Sequence, residues 1–347
     1  MADFDALLLL SFGGPEGPED VMPFLRNVTR GRGIADDRLA SVASHYQHFG
    51  GVSPINAQNR TLLETLRVDF AAHGIDLALY WGNRNWKPYV ADAVRHMRDD
   101  GVRRALVLAT SATGSYSSCR QYRENLAESR AVAGGGAPEL IKLRHFFDHP
   151  GFIAANADGV RDAIAGLPAP ERDTARLVFT AHSIPRSMND TSGPRSDGLY
   201  AAQHRETARL VAEAVRGPGA PFDLVWQSRS GPPQVPWLEP DIGDHLRELA
   251  AAGQRSVIIS PTGFVSDHIE VRWDLDTEAR QLADALGLQV RRAATAGTHP
   301  AFVTTIRELV LEQLSGAQPQ LLADLGLCGI DCPRTCCPSP ARLPSSA

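Results

Sequence analysis

The chain alternates short, unbroken apolar runs with longer amphipathic stretches. The apolar runs are strand-sized: ALLLLSF (6–12), LALYWG (77–82), RALVLAT (104–110), ARLVFTAH (175–182), FDLVWQS (222–228) and SVIISPT (256–262). Helix-length segments lie between them, among them 55–73, 88–100, 150–166, 198–215, 240–252 and 299–314. Continuous apolar strands separated by helices predict parallel sheets covered on both faces. The runs fall into two sets, before and after about residue 150, and 347 residues suffice for two cores. The predicted fold is therefore α/β, with two doubly wound, Rossmann-like domains and a cleft between them. The predicted division is 1–150, 151–315 and a tail, 316–347, with the helix at 299–314 free to pack back on the first domain.

Composition narrows the function classes. A hydrophobic content of 43% and a charged content of 22% describe an ordinary globular protein. The formal net charge of -5 offers no broad basic field, so no nucleic-acid partner is expected. No apolar run approaches the roughly 20 residues that span a bilayer. Run 6–12 lacks the basic flank and small-residue cleavage site of a signal peptide. The expectation is a cytoplasmic protein with no stable membrane association. Neither a GxGxxG nor a Walker A sequence is present, so nucleotide binding has no support.

Chemistry-bearing residues crowd where the apolar runs stop, in SFGGPEGPED, TSATGSYSSCRQY, TAHSIP, WQSRSGPPQVPWLEP and PTGFVSDHIE. In open α/β sheets that is where ligands bind. His182 ends one run and Glu270 follows another. Opposed across a cleft, they would form a base or a metal-ligand pair; His182 taken alone reads more simply as a structural hydrogen-bonding group. Glu270, Asp274 and Glu278 recur every four residues, a spacing at which like charges destabilise a helix. An α-helix turns about 400° in four residues, so such a row drifts by about 40° per step. A π-type widening would line it up, and such widenings are frequent at functional sites. A lined-up row would hold a hard divalent cation through oxygen; a solvated acidic face is the other reading. Phe12, Tyr116, Tyr122, Trp226 and Trp237 could wall a planar ligand or fill the core. Arg26, Arg30, Arg32, Arg120 and Arg123 could grip carboxylates bidentately or stand in solvent.

Cysteine usage is uneven. Four of the five, Cys328, Cys332, Cys336 and Cys337, fall within ten residues of a tail rich in Gly, Pro and Ser, and Cys119 lies far upstream. In a reducing cytosol such a cluster favours a metal over disulfides. Without its thiols the tail would read as disordered.

The segments LLLSFGGPEGPEDVMPFLRNV, HFGGVSPIN, YWGNRNWKPYV, SSCRQY, FTAHSIP, DLVWQSRSGPPQVPWLEPD and PTGFVSDHIEVRWDLDTE closely resemble the ferrochelatase family. They are most similar to its actinobacterial members assigned to coproporphyrin III. The resemblance runs in order through about residues 4 to 314, and GFVSDHIE with TAHSIP is its most specific part. It implies two chelatase-type halves that hold a porphyrin while Fe2+ is inserted. His182 and Glu270 would be the metal-handling pair, with Glu270 facing His182 across the macrocycle, and Asp274 and Glu278 an outer metal site. Ser53 and Tyr122 match positions that contact porphyrin carboxylates. His45 and Tyr46 match a contact pair that begins with Arg in relatives, so only Tyr46 carries over. Some bacterial relatives have Tyr at the position of Phe12; Phe cannot ligate iron, but its ring can pack on the macrocycle.

The segment 24–49 has three arginines near its start, Arg30 among them, and no long apolar lip. A basic mouth suits the four carboxylates of coproporphyrin III, whose product would pass to a coproheme-processing enzyme. Protoporphyrin IX, or a cobalt or nickel tetrapyrrole chelatase, is the alternative. A haem- or cluster-carrying protein without turnover is a third reading. The tail resembles the [2Fe-2S] ligand set of some ferrochelatases, with Cys119, Cys328, Cys332 and Cys337 as ligands and Cys336 spare; a zinc site built from four cysteines is the alternative.

Overall fold

A computed structural model describes residues 3–31, 33–231, 234–330 and 332–339. Arg32 therefore lies outside the described residues. Two four-stranded sheets form, one per lobe. Strands β1 (Ala6–Ser11), β2 (Ala78–Asn83), β3 (Arg104–Ala109) and β4 (Glu139–Lys142) lie in the order β2-β1-β3-β4. Strands β5 (Arg176–His182), β6 (Asp223–Gln227), β7 (Ser256–Ser260) and β8 (Gln289–Arg292) lie in the order β6-β5-β7-β8. Every pairing is parallel. Counted from its own first strand, each lobe repeats the same order. The chain reverses its winding beside the first strand of each sheet, so β1/β3 and β5/β7 are the two switch points where clefts open.

The central strands form because their runs are apolar throughout. All six residues of β1 and all five of β7 are buried, as expected of central strands covered on both faces. The four-residue strands ELIK (β4) and QVRR (β8) were not foreseen. They are sheet edges and carry charge, which blunts an edge and hides it from an apolar-run reading.

Two helices tie the lobes together. Helix Pro150–Ala165 is apolar around much of its circumference. Phe152 and Ala155 enter the first-lobe core, while Ile153, Ala157, Val160 and Ala163 enter the second. Helix Pro300–Leu314 closes the chain back on the first lobe: Phe302, Val303, Ile306, Leu309 and Val310 pack with Leu7, Leu9, Leu62 and Leu66. Its Glu312 forms a buried bidentate pair with Arg144, which also donates to the carbonyls of His145 and Gln320. The tail then follows the first lobe, with Leu322 N–H on the Asp148 carbonyl and His145 N–H on the Cys328 carbonyl. A lip formed by helices Pro18–Val28 and Asp36–His48 has its own small core, Val21, Phe24, Leu25, Leu39, Ala43, Tyr46 and Trp86, and that core includes Ile269 of the second lobe.

Candidate active site

His182 is the last residue of β5, and Glu270 lies in the short helical turn Ile269–Val271 that follows neighbouring β7. His182 Nε2 and a Glu270 carboxylate oxygen are 3.7 Å apart, and both side chains are part-exposed. His182 Nδ1 donates to the Ser183 carbonyl at 2.5 Å. A carbonyl can only accept, so Nδ1 carries a proton, and in the neutral ring Nε2 presents its lone pair. The Tyr200 hydroxyl holds the His182 carbonyl at 2.8 Å. Two acceptors thus face each other, an arrangement completed by a proton or a cation. The distance corrects one expectation: the pair cannot grip a macrocycle between them, because a planar ring needs van der Waals contact of about 3.5 Å on each face. His182 and Glu270 stand side by side on one wall because adjacent strands of one sheet deliver them.

Residues Arg272–Ala279 form a π-helix, the widening that the acid spacing called for. Burial first, then the charges of Glu270 and Glu278, push the Asp274 carboxyl up to about 7, against bonds from Ser228 and Gln227. The three acids therefore act on one another as a row. Its cost is reduced because the middle member can take up a proton near neutral pH.

The first lobe supplies the aromatic wall. Phe12, just past β1, is 38% exposed and meets Phe24 edge-on at 6.3 Å. Phe24 packs in turn on Tyr46 at 5.8 Å and Trp86 at 6.0 Å. Burial raises the Tyr46 pKa, and the Glu270 charge adds to it, so the lip lies within reach of the metal-handling pair. The lip is also bolted to the π-helix: His45 stacks on Trp273 at 3.9 Å and Arg272 lies over Phe49. Ser53 is buried against Gly14, and Tyr122 is buried in the first-lobe core. Arg84 was not singled out by sequence, although it lies in the quoted YWGNRNWKPYV. Its guanidinium sits 4.3 Å from the Tyr122 ring and 5.8 Å from that of Phe12.

Several candidates are engaged with other partners. Trp226 is buried in the second-lobe core, stacked on Tyr200. Arg120 and Arg123 donate to tail carbonyls at Arg334 and Ile330, and Arg26 pairs with Asp36. Arg30 is exposed and bonded to Asn27.

The thiols gather where the tail crosses both lobes. Cys119 lies in a second π-helix, Tyr116–Arg120. Cys336 and Cys337 sulfurs are 3.6 Å apart, and Gly193 of the second lobe donates to Cys337 Sγ at 3.2 Å. Bonds from Cys328 and then Cys336 hold the Cys332 thiol far below the usual range, while burial raises that of Cys119. Among the described residues, no three His, Cys, Asp or Glu side chains converge as a single bound ion would require. A [2Fe-2S] centre takes its thiolates two per iron, a more spread arrangement. Five thiols, three of them buried and two, Cys332 and Cys337, drawn toward thiolate, fit that donor chemistry.

Two lobes with matching parallel sheets and a cation-ready pair at a switch point define a chelatase-type protein. SirB from Bacillus subtilis with Fe3+ shares the fold, with a TM-score of 0.52 at 12% identity over 90% of this chain and 98% of its own. DR2241 from Deinococcus radiodurans, described as structurally similar to chelatases, gives 0.52 at 15% identity over 92% of this chain and 56% of its own. The ferrochelatase family model matches residues 4–314, and the chain belongs to the ferrochelatase family. Coproporphyrin III ferrochelatase of Streptomyces coelicolor is 56% identical over 99% of this chain and 96% of its own. That of Nocardia farcinica is 55% identical over 99% of each. That of Mycolicibacterium smegmatis is 57% identical over 91% and 92%.

Proposed function

We propose that this ferrochelatase inserts Fe2+ into coproporphyrin III to give coproheme. The observation that carries the chemistry is the lone-pair nitrogen of His182 facing the Glu270 carboxylate at 3.7 Å. The macrocycle lies with one face toward this pair and the other toward Phe12. His182 Nε2 takes a pyrrole proton as the metal enters, with Nδ1–H fixed by Ser183 so that only Nε2 can accept. Glu270 balances the imidazolium and hands Fe2+ inward. Asp274 and Glu278 hold the next cation on the π-helix, where proton loss from Asp274 is exchanged for metal. Arg84, Arg30, Tyr46, Ser53 and Tyr122 serve the porphyrin side.

The substrate assignment rests on two supports. The relatives named coproporphyrin III ferrochelatase cover nearly the whole chain, and the segment 24–49 carries arginines rather than a long apolar face. The deciding measurement is Fe2+ insertion run in parallel with coproporphyrin III and protoporphyrin IX. Equal or higher kcat/KM with protoporphyrin IX would reject the assignment.

We further infer a [2Fe-2S] centre held by Cys119, Cys328, Cys332 and Cys337. Such a centre supplies a cross-link and a one-electron redox site, and here it would tie the tail to the lobes. Coproheme would leave for a downstream processing enzyme. The proposed division of the chain is 1–150, 151–315 and 316–347, and the proposed location is the cytoplasm. Among the described residues, no helix is long and apolar enough to cross a membrane.

A further inference from the structure

His145 is a buried imidazole with no assigned work. It is 3% exposed, yet neither Nδ1 nor Nε2 has a hydrogen-bond partner. Its slot is built by two close backbone approaches. A Cβ at Gly114 would come within 2.6 Å of His145 Cε1; one at Gly329, where φ is +98°, would come within 2.8 Å of Cδ2 and 2.9 Å of Nε2. The Nε2 edge therefore faces the tail and the Nδ1 edge faces the loop after β3. The same tail residues serve the thiols: Gly329 N–H bonds Cys332, and the Cys328 carbonyl is held by the His145 backbone N–H. The ring and the Cys332 sulfur lie within electrostatic reach of each other.

A neutral imidazole has one N–H to give, and a buried N–H without an acceptor is costly. Its Nε2 edge faces Gly329, whose own N–H bonds Cys332, and the Cys332 charge acts on the ring. We propose that His145 donates its Nε2–H to the sulfur of Cys332 in the loaded iron–sulfur centre and thereby raises the reduction potential of that centre. The inference rests on the [2Fe-2S] reading above. A donated hydrogen bond stabilises the more negative, reduced form, and hydrogen bonds to sulfur are among the determinants of such potentials. His145 is a positioning residue and not an iron ligand, because five thiols already compete for four places.

The test uses the full-length holoprotein purified anaerobically, with wild type, His145→Leu and His145→Gln compared by iron and sulfide content, visible and EPR spectra, and redox titration. His145→Leu fills the slot without a donor; His145→Gln returns an N–H near the position of Nε2. At a fixed potential near the wild-type midpoint, the reduced-to-oxidised ratio should fall about tenfold in His145→Leu. That corresponds to about 59 mV for a one-electron couple. His145→Gln should recover most of the shift, with spectra of all-thiolate type throughout. Loss of the centre in the Leu variant with recovery in the Gln variant supports the same role. A fully loaded His145→Leu protein with an unchanged midpoint overturns the proposal. So does loss of the centre from both variants when wild type retains it, since that marks a ligand or a packing element. Wild type without iron and sulfide is a separate failure, that of the cluster reading itself.

Discussion

His182 and Glu270 stood out in the sequence because one ends an apolar run and the other follows one, each in a motif with few alternatives. Their adjacency was not, because nothing in a linear reading states that β5 and β7 are neighbours. A positioned acid–base group is worth about 10² to 10⁴ in rate. His182→Ala and Glu270→Gln should each lower kcat for Fe2+ insertion by about 10²-fold or more, while porphyrin affinity, read by fluorescence quenching, changes little. Arg84 was missed because one arginine in a basic-and-aromatic segment carries no distinguishing pattern; only the fold sets it against Phe12 and Tyr122. A hydrogen bond to a charged group contributes about 1.5–3 kcal/mol. Arg84→Ala should therefore raise KM for coproporphyrin III about tenfold or more and leave that for Fe2+ unchanged.

At the scale of elements, the six strands that carry apolar runs were readable, and the short, charged edges β4 and β8 were not. The lip helix Asp36–His48 was also hidden, since it buries only Leu39, Ala43 and Tyr46, a stripe too narrow to stand out in the pattern. The π-helix was one of two readings of the sequence, because three acids at a four-residue spacing line up if the turn is widened, and a solvated acidic face was the other. Its middle acid makes stability depend on pH. Asp274 titrates at about 7 in the folded protein and near 4 when unfolded. Between those values the folded state holds the extra proton, so stability falls as pH rises from about 4 to about 7. Asp274→Asn should flatten that slope, and urea midpoints at pH 5 and pH 8 without iron should move closer together than in wild type. An unchanged difference between the two midpoints would mean that Asp274 does not carry the shift.

At the scale of the molecule, the two-lobed plan was visible as two sets of apolar runs, but the tail's path was not, because irregular chain has no periodicity to read. Its attachment begins at the Arg144–Glu312 pair, whose side chains are 1% and 5% exposed. Removing one partner of a buried pair costs about 3–5 kcal/mol. Glu312→Ala should lose about that much in chemical denaturation and loosen residues 320–330, seen as faster amide exchange. The thiols at the end of that path should bind two irons and two sulfides per chain, by metal and acid-labile sulfide analysis. Cys119, Cys328, Cys332 or Cys337 replaced by Ser should bleach the protein, and Cys336→Ser should not. One zinc and no sulfide would establish the mononuclear alternative.

The contact of Gly193 with Cys337 has a mechanical side. One end of the tail is moored on the first lobe through Arg123 and His145, and the other rests on the second. The aromatic wall and the metal-handling pair belong to those same two bodies. The tail is thus a tie rod laid across a pair of jaws. Oxidants that attack sulfur would slacken the rod without touching either jaw, so iron insertion would lose its precision of alignment while every residue that performs it stays intact.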